Sequence, residues 1–388
     1  MTGVSISPGV FHWLWLSSGV TIDEISKRIN ESPETVTRWC LDEVSPRLSV
    51  RAIEKLSATF KRPISAFLLP EAPEENNPKD FRRVKNADHL LSRDTWVAIR
   101  RARRHLDAWR ALREINGEDL NAHLPLYSLD SDPEEAAAKE RRRLKVSDTT
   151  KWKDPSEAYR YWRSLLESLA LPVFQVGMPI IESRGFALRA DDTVLIVVNG
   201  SDAMNGRIFS LFHEYAHLIL NELAICNIES DTNPDKTIQR IEKWCNRFAG
   251  AFLMPQAAIS SNSRISKPLA RGDVFSSVKA LAARQKVSRE AAAVRLRVLN
   301  IISESGYHET ISRIRAEEEE KKARQQVKQE GGGFKNPARD CRIEHGDQFV
   351  SMALNSEAQG RITFADMLNY LELKASYIGR LQGGGRDF

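Results

Sequence analysis

The sequence has few cysteines and no long apolar run. Its four cysteines are scattered without a C-x-x-C pair, so neither a disulfide-stapled secreted domain nor a cysteine-built zinc finger is predicted. No stretch reaches the roughly 18 continuous apolar residues that a membrane helix needs. The first residues, MTGVSISPGV, lack the basic and apolar regions of a secretion signal. We therefore expect a cytoplasmic protein with no membrane partner.

A strong excess of one charge is also missing. The chain has 57 Lys and Arg against 52 Asp and Glu, a net charge of +5, so charge alone identifies no polyanionic partner. Its 388 residues suffice for two or three domains at about 150 residues each. A composition of 41% hydrophobic and 28% charged residues is typical of globular proteins.

Proline, glycine and charge clusters divide the chain into five predicted segments. Residues 8–70 form a bundle of short helices, and a basic helical linker region follows at 79–130. Residues 131–315 hold the predicted strands and most other helices. A charged linker is predicted at 316–333 and a small unit, which contains no motif, at 334–388. The expected fold class is mainly α with a small sheet (α+β).

Capping residues and residue patterns locate the elements. Thr21-x-x-Glu24 is a capping box that opens one helix, and Ser32-Pro33 supplies the N-cap and first proline of the next. β-branched and aromatic runs predict strands at Val173-Phe174 and at 194–198. Further helices are predicted at 50–60, 133–145, 155–169, 206–222, 238–253 and, in pieces, 276–315.

The most specific motif is His213-Glu214-Tyr215-Ala216-His217, in a helix of otherwise apolar residues. Two histidines at positions i and i+4 share one helical face, so both imidazoles can reach a single metal ion. The glutamate after the first histidine can lean over the metal's open position and accept a proton from a water molecule there. Zinc is the first choice for this spacing, although such ligands accept other divalent ions.

A hydrolytic zinc site needs a third protein ligand. Glu242 follows His217 by 25 residues and lies at the edge of the buried face of the next predicted helix. Glu222 and Glu229 are alternatives, but both lie in or beside the predicted loop between the two helices. Spacing favours Glu242 and leaves these alternatives open.

Two stretches carry a family resemblance. The run from Arg207 to His217, followed by EKWCNRFAGAFLMP from Glu242 to Pro255, resembles the ImmA/IrrE metallopeptidases. These are bacterial and phage zinc peptidases of gluzincin type, many of them fused to an N-terminal helix-turn-helix. The likeness continues through residues 132–143, 185–188, the strand before Asn199, and 287–299, where Arg295-Leu296 matches a frequent family pair.

The resemblance implies a zinc peptidase domain at 131–315. Its metal ligands would be His213, His217 and Glu242, which bind one Zn²⁺ per chain, and no nucleotide cofactor is expected. Glu214 would be the general base that takes a proton from water and passes it to the leaving amine.

The residue that stabilises the oxyanion stays open in the sequence. Tyr215 and Arg207 are the nearest candidates, but we interpret Arg207 as fixing the helix start and Tyr215 as a core residue. Cys245 lies three residues after Glu242 and is interpreted as a small buried hydrophobe rather than a redox-sensing thiol.

Residues 8–70 resemble the Xre/Cro-type helix-turn-helix, with Thr21 to Asn30 as its first helix and Ser32 to Trp39 as its recognition helix. That helix enters the DNA major groove in the family. The residues predicted to contact DNA are Thr35, Thr37 and Arg38. Acidic residues flank the helix, and residues 1–70 carry a net charge of only +1. DNA binding is therefore expected to be weak unless the basic stretch at 79–115 assists it.

Three functional hypotheses follow. The leading one is a zinc-dependent, site-specific endopeptidase that cleaves a regulatory protein. The expected substrate is a helix-turn-helix repressor or an antitoxin. The resemblance implies that typical substrates are helix-turn-helix repressors, whose cleavage derepresses stress or mobile-element genes. The second is a transcription regulator or antitoxin-like DNA-binding protein whose peptidase fold is a sensor or inactive. The third, a structural zinc domain, has no obvious fourth protein ligand to close its site.

Overall fold

Helices dominate the computed structural model of the chain. Its described residues contain 18 α-helices, one two-stranded sheet and one three-stranded sheet, so the predicted α+β fold class is confirmed. None of the helices within these residues combines the length and the apolar character needed to cross a membrane. The described residues are 3–73, 91–220, 234–326 and 336–383.

The chain divides into two compact units. Unit 1 comprises the described residues of Met1–Arg104 and Val176–Ser183, and unit 2 those of His105–Gln175 and Arg184–Phe388. Each unit has its own hydrophobic core. The predicted boundaries of the five segments are not tested by this division and stay predictions.

Unit 1 is built mainly from short helices. A pair of two-residue strands, β1 (Val4–Ser5) and β2 (Arg47–Leu48), is antiparallel. A 3₁₀ turn at Ile64–Leu68 follows the last short helix. The helices are α1 (Pro8–Leu16), α2 (Ile22–Ile29), α3 (Pro33–Cys40), α4 (Val50–Phe60) and the first part of α5 (Arg93–Asn116).

The predicted capping residues act as expected in α2 and α3. Thr21 accepts a hydrogen bond from the backbone N–H of Glu24, whose side chain accepts one from the backbone of Thr21. Asn30 ends α2 in the left-handed region, with φ 61°. The Ser32 hydroxyl accepts from the N–H of Thr35 at the start of α3. The two helices and the turn between them are thus confirmed.

Arg100, from the basic stretch, is buried in unit 1. Its guanidinium donates to the carbonyl of Ser17 at 2.7 Å and to the carbonyl of Phe60 at 3.4 Å. These carbonyls lie at the C-terminal ends of α1 and α4, where helices leave acceptors without helical partners. The charge of Arg100 therefore stabilises helix ends inside unit 1 and is not displayed to solvent.

Unit 2 holds the second part of α5, a three-stranded sheet and thirteen further described helices. The strands are β3 (Val173–Val176), β4 (Gly185–Ala190) and β5 (Thr193–Asn199). The helices are α6 (Pro133–Arg143), α7 (Pro155–Glu167), α8 (Met204–Ile219), α9 (Pro234–Leu253), α10 (Gln256–Ser260), α11 (Ser263–Ala270), α12 (Val274–Gln285), α13 (Arg289–Val298), α14 (Glu304–Gln326), α15 (Pro337–His345), α16 (Asp347–Ala358), α17 (Phe364–Tyr370) and α18 (Ile378–Gly383).

The element predictions are confirmed for the longer helices and for two strands. The charged segment predicted as a helix or linker from residue 316 is helical to Gln326, and residues 327–335 lie outside the described residues. Strands β1, β2 and β4, helices α10 and α11, and the C-terminal helices α15 to α18 were not predicted from the sequence.

Strand β5 is the centre of the sheet, whose order is β3–β5–β4. Strands β4 and β5 are antiparallel, with Gly185 opposite Val198. All seven residues of β5 are buried, which matches its continuous apolar run. Helix α8 packs against β4 and β5, so the sheet supports the helix that carries the predicted metal ligands.

The C-terminal helices pack on α7 and β3 of unit 2. The Arg163 guanidinium and the Gln175 amide both donate to the carbonyl of Ile343, at 2.6 and 2.7 Å. The apolar residues Leu371 and Ile378 are buried among these helices, whereas Tyr370 is half-buried. These contacts attach α15 to α7 and β3.

A buried arginine joins three helices of unit 2. Arg295 of α13 donates two hydrogen bonds to the carboxylate of Glu134 in α6 and one to the carbonyl of Met254, just after α9. The arginine side chain is only 2% exposed and that of Glu134 is 33% exposed. A bidentate ion pair of this kind fixes the relative position of the helices and also stabilises the fold.

Replacing Glu134 by alanine should destabilise unit 2 by about 2–3 kcal/mol, because it leaves a buried guanidinium without its carboxylate. The matched control is Glu135→Ala, which removes an exposed partner of Lys139 and should change stability by less than about 0.5 kcal/mol. Urea unfolding of both variants measures the difference. Equal midpoints for the two would contradict the role given to Arg295.

Candidate metal centre

Helix α8 is held at its start by Arg207. The guanidinium donates to the carbonyl of Asp202 at 2.8 Å and to the side chain of Gln175 at 2.7 Å, and it also contacts the carbonyl of Gly200. Asp202 accepts a hydrogen bond from the N–H of Ala203, the residue before the helix. Arg207 thus fixes the first turn of α8, as we interpreted it from the sequence.

The three predicted ligands converge in unit 2. The Nε2 atoms of His213 and His217 are 3.0 Å apart. The Glu242 carboxylate, on α9, lies 3.4 Å from Nε2 of His213 and 3.6 Å from Nε2 of His217. His217 is buried, whereas His213 and Glu242 are half-buried. Two helices therefore bring two imidazoles and one carboxylate to one point.

These spacings fit a divalent metal ion. Zinc–nitrogen bonds of about 2.0–2.1 Å at tetrahedral angles place neighbouring donor atoms about 3.3–3.4 Å apart. The observed separations of 3.0, 3.4 and 3.6 Å bracket that value. Two histidines and one carboxylate are also the donor set of hydrolytic zinc sites that keep one position open. The residues present therefore fit zinc.

Glu214 is buried beside the ligands, and the backbone of β4 approaches it closely. A methyl group added to Gly185 would lie 3.3 Å from Cγ and 3.4 Å from Oε1 of Glu214, and 2.9 Å from the carbonyl of Val197. Glycine is thus required where β4 passes the carboxylate. Sequence reasoning did not give Gly185 this role. A lone glycine at the start of the strand was the only signal.

Tyr215 faces away from the ligands and belongs to the core, as interpreted from the sequence. Its hydroxyl donates to Glu140 at 2.7 Å and accepts from Arg143 at 2.8 Å, both on α6. Burial raises the pKa of the Tyr215 hydroxyl, and the neighbouring carboxylate of Glu140 raises it further. The tyrosine therefore stays protonated as a structural donor. The hydrogen bonds of Tyr215 and Arg207 described above are made to residues outside the metal centre, so they give neither residue a role as an oxyanion donor.

Other residues considered from the sequence fall outside the centre or outside the described chain. Cys245 is fully buried in the core of unit 2, in agreement with its interpretation as a small hydrophobe. The alternative ligands Glu222 and Glu229 lie outside the described residues, as does Cys226.

The predicted DNA-contacting residues lie on α3 in unit 1. The Thr37 hydroxyl donates to the carbonyl of Pro33 at 2.8 Å, within its own helix. The Thr35 hydroxyl lies 2.9 Å from that of Ser32 at the helix start. Arg38 is exposed, and its Nε is 3.7 Å from the carboxylate of Glu43. An exposed ion pair of this kind is weak, so Arg38 can exchange it for a phosphate. DNA contact by the three residues stays a prediction.

A cleft in unit 2 is lined by residues of α8, α9, α12, α13 and α14, and its lining does not include the three ligands. Its volume is about 2190 Å³, and its lining includes Phe209 and Ser210 of α8 and Asn246 of α9. Phe209 and Ser210 precede His213 by one helical turn, and Asn246 follows Glu242 by one turn, so these residues share the faces of the ligands. Basic side chains outnumber acidic ones in the lining. This cleft was not predicted from the sequence.

The comparison with protein families agrees with the site. Residues 168–297 match the model of the IrrE N-terminal-like domain, Peptidase_M78. The matched region runs from before β3 to the end of α13, so it contains His213, Glu214, His217 and Glu242. The chain therefore contains an IrrE-like peptidase domain with a candidate metal site.

Wider comparisons are less informative. No curated protein matches the chain. Among solved structures, a transcriptional regulator from Mycobacterium tuberculosis is similar over 50% of this chain, with 15% identity and a TM-score of 0.32. The matched part covers 51% of that regulator, about half of its length. A likeness at this level carries no argument about function.

Replacing either His213 or Glu242 by alanine should lower the zinc content of the purified chain by one ion per chain. Each change removes one of three ligands from a site with no fourth protein donor among its described neighbours. Elemental mass spectrometry of zinc-reconstituted protein measures the content. His308→Ala, which removes an exposed histidine, is the control and should leave it unchanged. Loss in the His213 variant alone would place the third ligand elsewhere.

Proposed function

We propose that this protein is a zinc-dependent, site-specific endopeptidase that cleaves a regulatory protein. The observation that carries the proposal is the convergence of His213, His217 and Glu242 beside the buried carboxylate of Glu214. A closed structural site would need a fourth protein ligand rather than a carboxylate next to an open position. The match of residues 168–297 to the IrrE-like peptidase domain supports the same class of reaction.

Glu214 carries the proton in this proposal. His213, His217 and Glu242 would hold the zinc ion, which would supply a Lewis acid and lower the pKa of a water molecule toward neutrality. The Glu214 carboxylate accepts the proton of the attacking water and delivers it to the amine of the departing peptide. Gly185 lets the strand backbone lie against this side chain, which limits its movement. A base held close to the reacting water accelerates the reaction more than a mobile base does.

The cleft supports a polypeptide substrate rather than a small molecule. Pockets for small ligands have volumes of about 300–1,000 Å³, whereas this cleft measures about 2190 Å³. His213, Glu214, His217 and Glu242 are not among its lining residues, but the lining shares helical faces with His213 and Glu242, so the cleft could hold the part of a peptide that flanks the cleaved bond. The excess of basic side chains favours a segment that contains acidic residues.

The regulatory identity of the substrate rests on the family resemblance. It implies a helix-turn-helix repressor, and an antitoxin is the alternative substrate. The helical unit 1 would dock such a protein or its DNA. The second candidate function is a DNA-binding regulator in which the peptidase domain is a sensor or inactive. Helices α2 and α3, with the turn between them and the exposed Arg38, support this second function.

Replacing Glu214 by glutamine should abolish cleavage and keep zinc. The amide preserves the shape of the side chain but cannot accept the proton, so the rate should fall by at least about 100-fold. The measurement compares new N-termini in cells that express wild type or Glu214→Gln, with His213→Ala as the control that lacks zinc at this centre. Wild-type-specific termini should lie in a regulatory protein, next to acidic residues. Identical termini and identical regulatory output in wild type and Glu214→Gln would favour the sensor instead.

Replacing Gly185 by alanine should slow the same cleavage by about 10- to 100-fold without loss of zinc. The added methyl group would displace Glu214 or the β4–β5 pairing, and small misplacements of a catalytic group are costly. Gly379→Ala is the matched control, because a methyl group there meets nothing within 4 Å. Unchanged cleavage by Gly185→Ala would show that the strand does not position the base.

A further inference from the structure

A second group of potential metal ligands lies in unit 2, apart from the peptidase centre. His105 of α5, His345 at the end of α15 and Glu372 after α17 each offer a ligand atom, and these atoms lie within 4.8 Å of one another. His105 and His345 are 2% and 1% exposed, whereas Glu372 is exposed. The three residues come from three separate elements, and none belongs to the matched peptidase region.

Aromatic packing fixes both imidazole rings. The His105 ring stacks on Phe174 with centroids 4.5 Å apart and an interplanar angle of 8°, and it meets the edge of His345 at 4.6 Å. The His345 ring stacks on Phe349 at 5.6 Å. Rings held on both sides in this way are preorganised, so ligand binding would cost little side-chain entropy.

A backbone carbonyl selects the nitrogen of His345 that can bind a metal. Its Nδ1 lies 3.1 Å from the carbonyl of Cys341, so Nδ1 carries the proton and Nε2 presents the lone pair. Metal-binding histidines usually donate their other ring N–H to a carbonyl or carboxylate in this manner. The Cys341 thiol also contacts the carbonyl of Leu371, the residue before Glu372. The same cysteine therefore ties two of the three ligand-bearing segments together.

We propose that His105, His345 and Glu372 form a second binding site for a divalent transition-metal ion, with zinc as the favoured ion. Two imidazoles and one carboxylate suit zinc, whereas calcium and magnesium prefer sites made of oxygen ligands. The exposed carboxylate gives the ion a route from solvent, and the buried rings close the other side. The site does not rest on peptidase activity, and it shares no ligand with the first centre.

A metal ion at this site would tie the C-terminal helices to the rest of unit 2. One ligand belongs to α5 and two belong to the segment from α15 to the residues after α17. The hydrogen bonds from Arg163 and Gln175 to Ile343 attach the same segment nearby. Binding of zinc should therefore raise the melting temperature of the chain by linking segments that are far apart in sequence.

The test uses the full chain with its first centre removed by His213→Ala and Glu242→Ala. This double variant, reconstituted with Zn²⁺ and passed over a desalting column, should retain one zinc per chain by elemental mass spectrometry. Adding Glu372→Gln should remove that zinc and abolish the rise in melting temperature on zinc addition. Because Glu372 is exposed, its substitution leaves the core intact, whereas replacing either buried histidine could unfold the chain.

The matched control is Asp340→Asn in the same double variant, which removes an exposed negative charge from α15. It should keep the zinc and the rise in melting temperature. Co²⁺ in place of Zn²⁺ gives a second readout, since visible d–d absorption should appear in the double variant and disappear with Glu372→Gln. A reconstituted double variant without zinc would overturn the proposal. So would equal zinc contents in the Glu372→Gln and Asp340→Asn chains.

Discussion

The packing of α8 against α9 is the contact on which the candidate metal centre depends. Phe212 stacks on Phe252 with ring centroids 4.3 Å apart, and Tyr215 packs against Phe248. These aromatic residues occupy the faces next to His213 and Glu242. A slide of one helix by a single turn would move a ligand by about 5.4 Å, which is more than any separation between donor atoms in the centre. The aromatic packing between α8 and α9 therefore determines the distances between the three metal ligands.

Polar contacts around α8 fix its orientation further, in addition to the aromatic packing against α9. Arg207 fixes the first turn, and Tyr215 reaches Glu140, which is almost fully buried. Burying a carboxylate is costly, and the tyrosine hydroxyl together with Arg143 offsets that cost. Loss of one partner would leave another group buried and unpaired, so the network favours the packing arrangement in which all of its members are satisfied. Helix α8 is consequently fixed along its length, while the cleft stays accessible beside it.

The sequence predicted what is encoded locally and missed what depends on distant partners. The H-E-x-x-H motif lies within five residues, and Glu242 follows from spacing and a buried helix face. Strand β4, GFALRA, lacks β-branched residues and forms because β5 pairs with it. Arg100 and Arg295 resemble surface residues in the sequence, yet both are buried. Their hydrogen-bond acceptors are carbonyl and carboxylate groups more than 35 residues away in the chain. Neither pattern nor propensity contains that information.

The two groups of ligands show how this limit applies to metal sites. Four of the eight histidines lie in these groups. The first pair is four residues apart on one helix, so helical geometry alone aligns it. The second pair is separated by 240 residues, and only the docking of α15 beside α5 brings it together. A motif can thus reveal a centre that one helix builds. A centre built by tertiary packing becomes visible only when the chain is folded, although the donor atoms and the chemistry are the same.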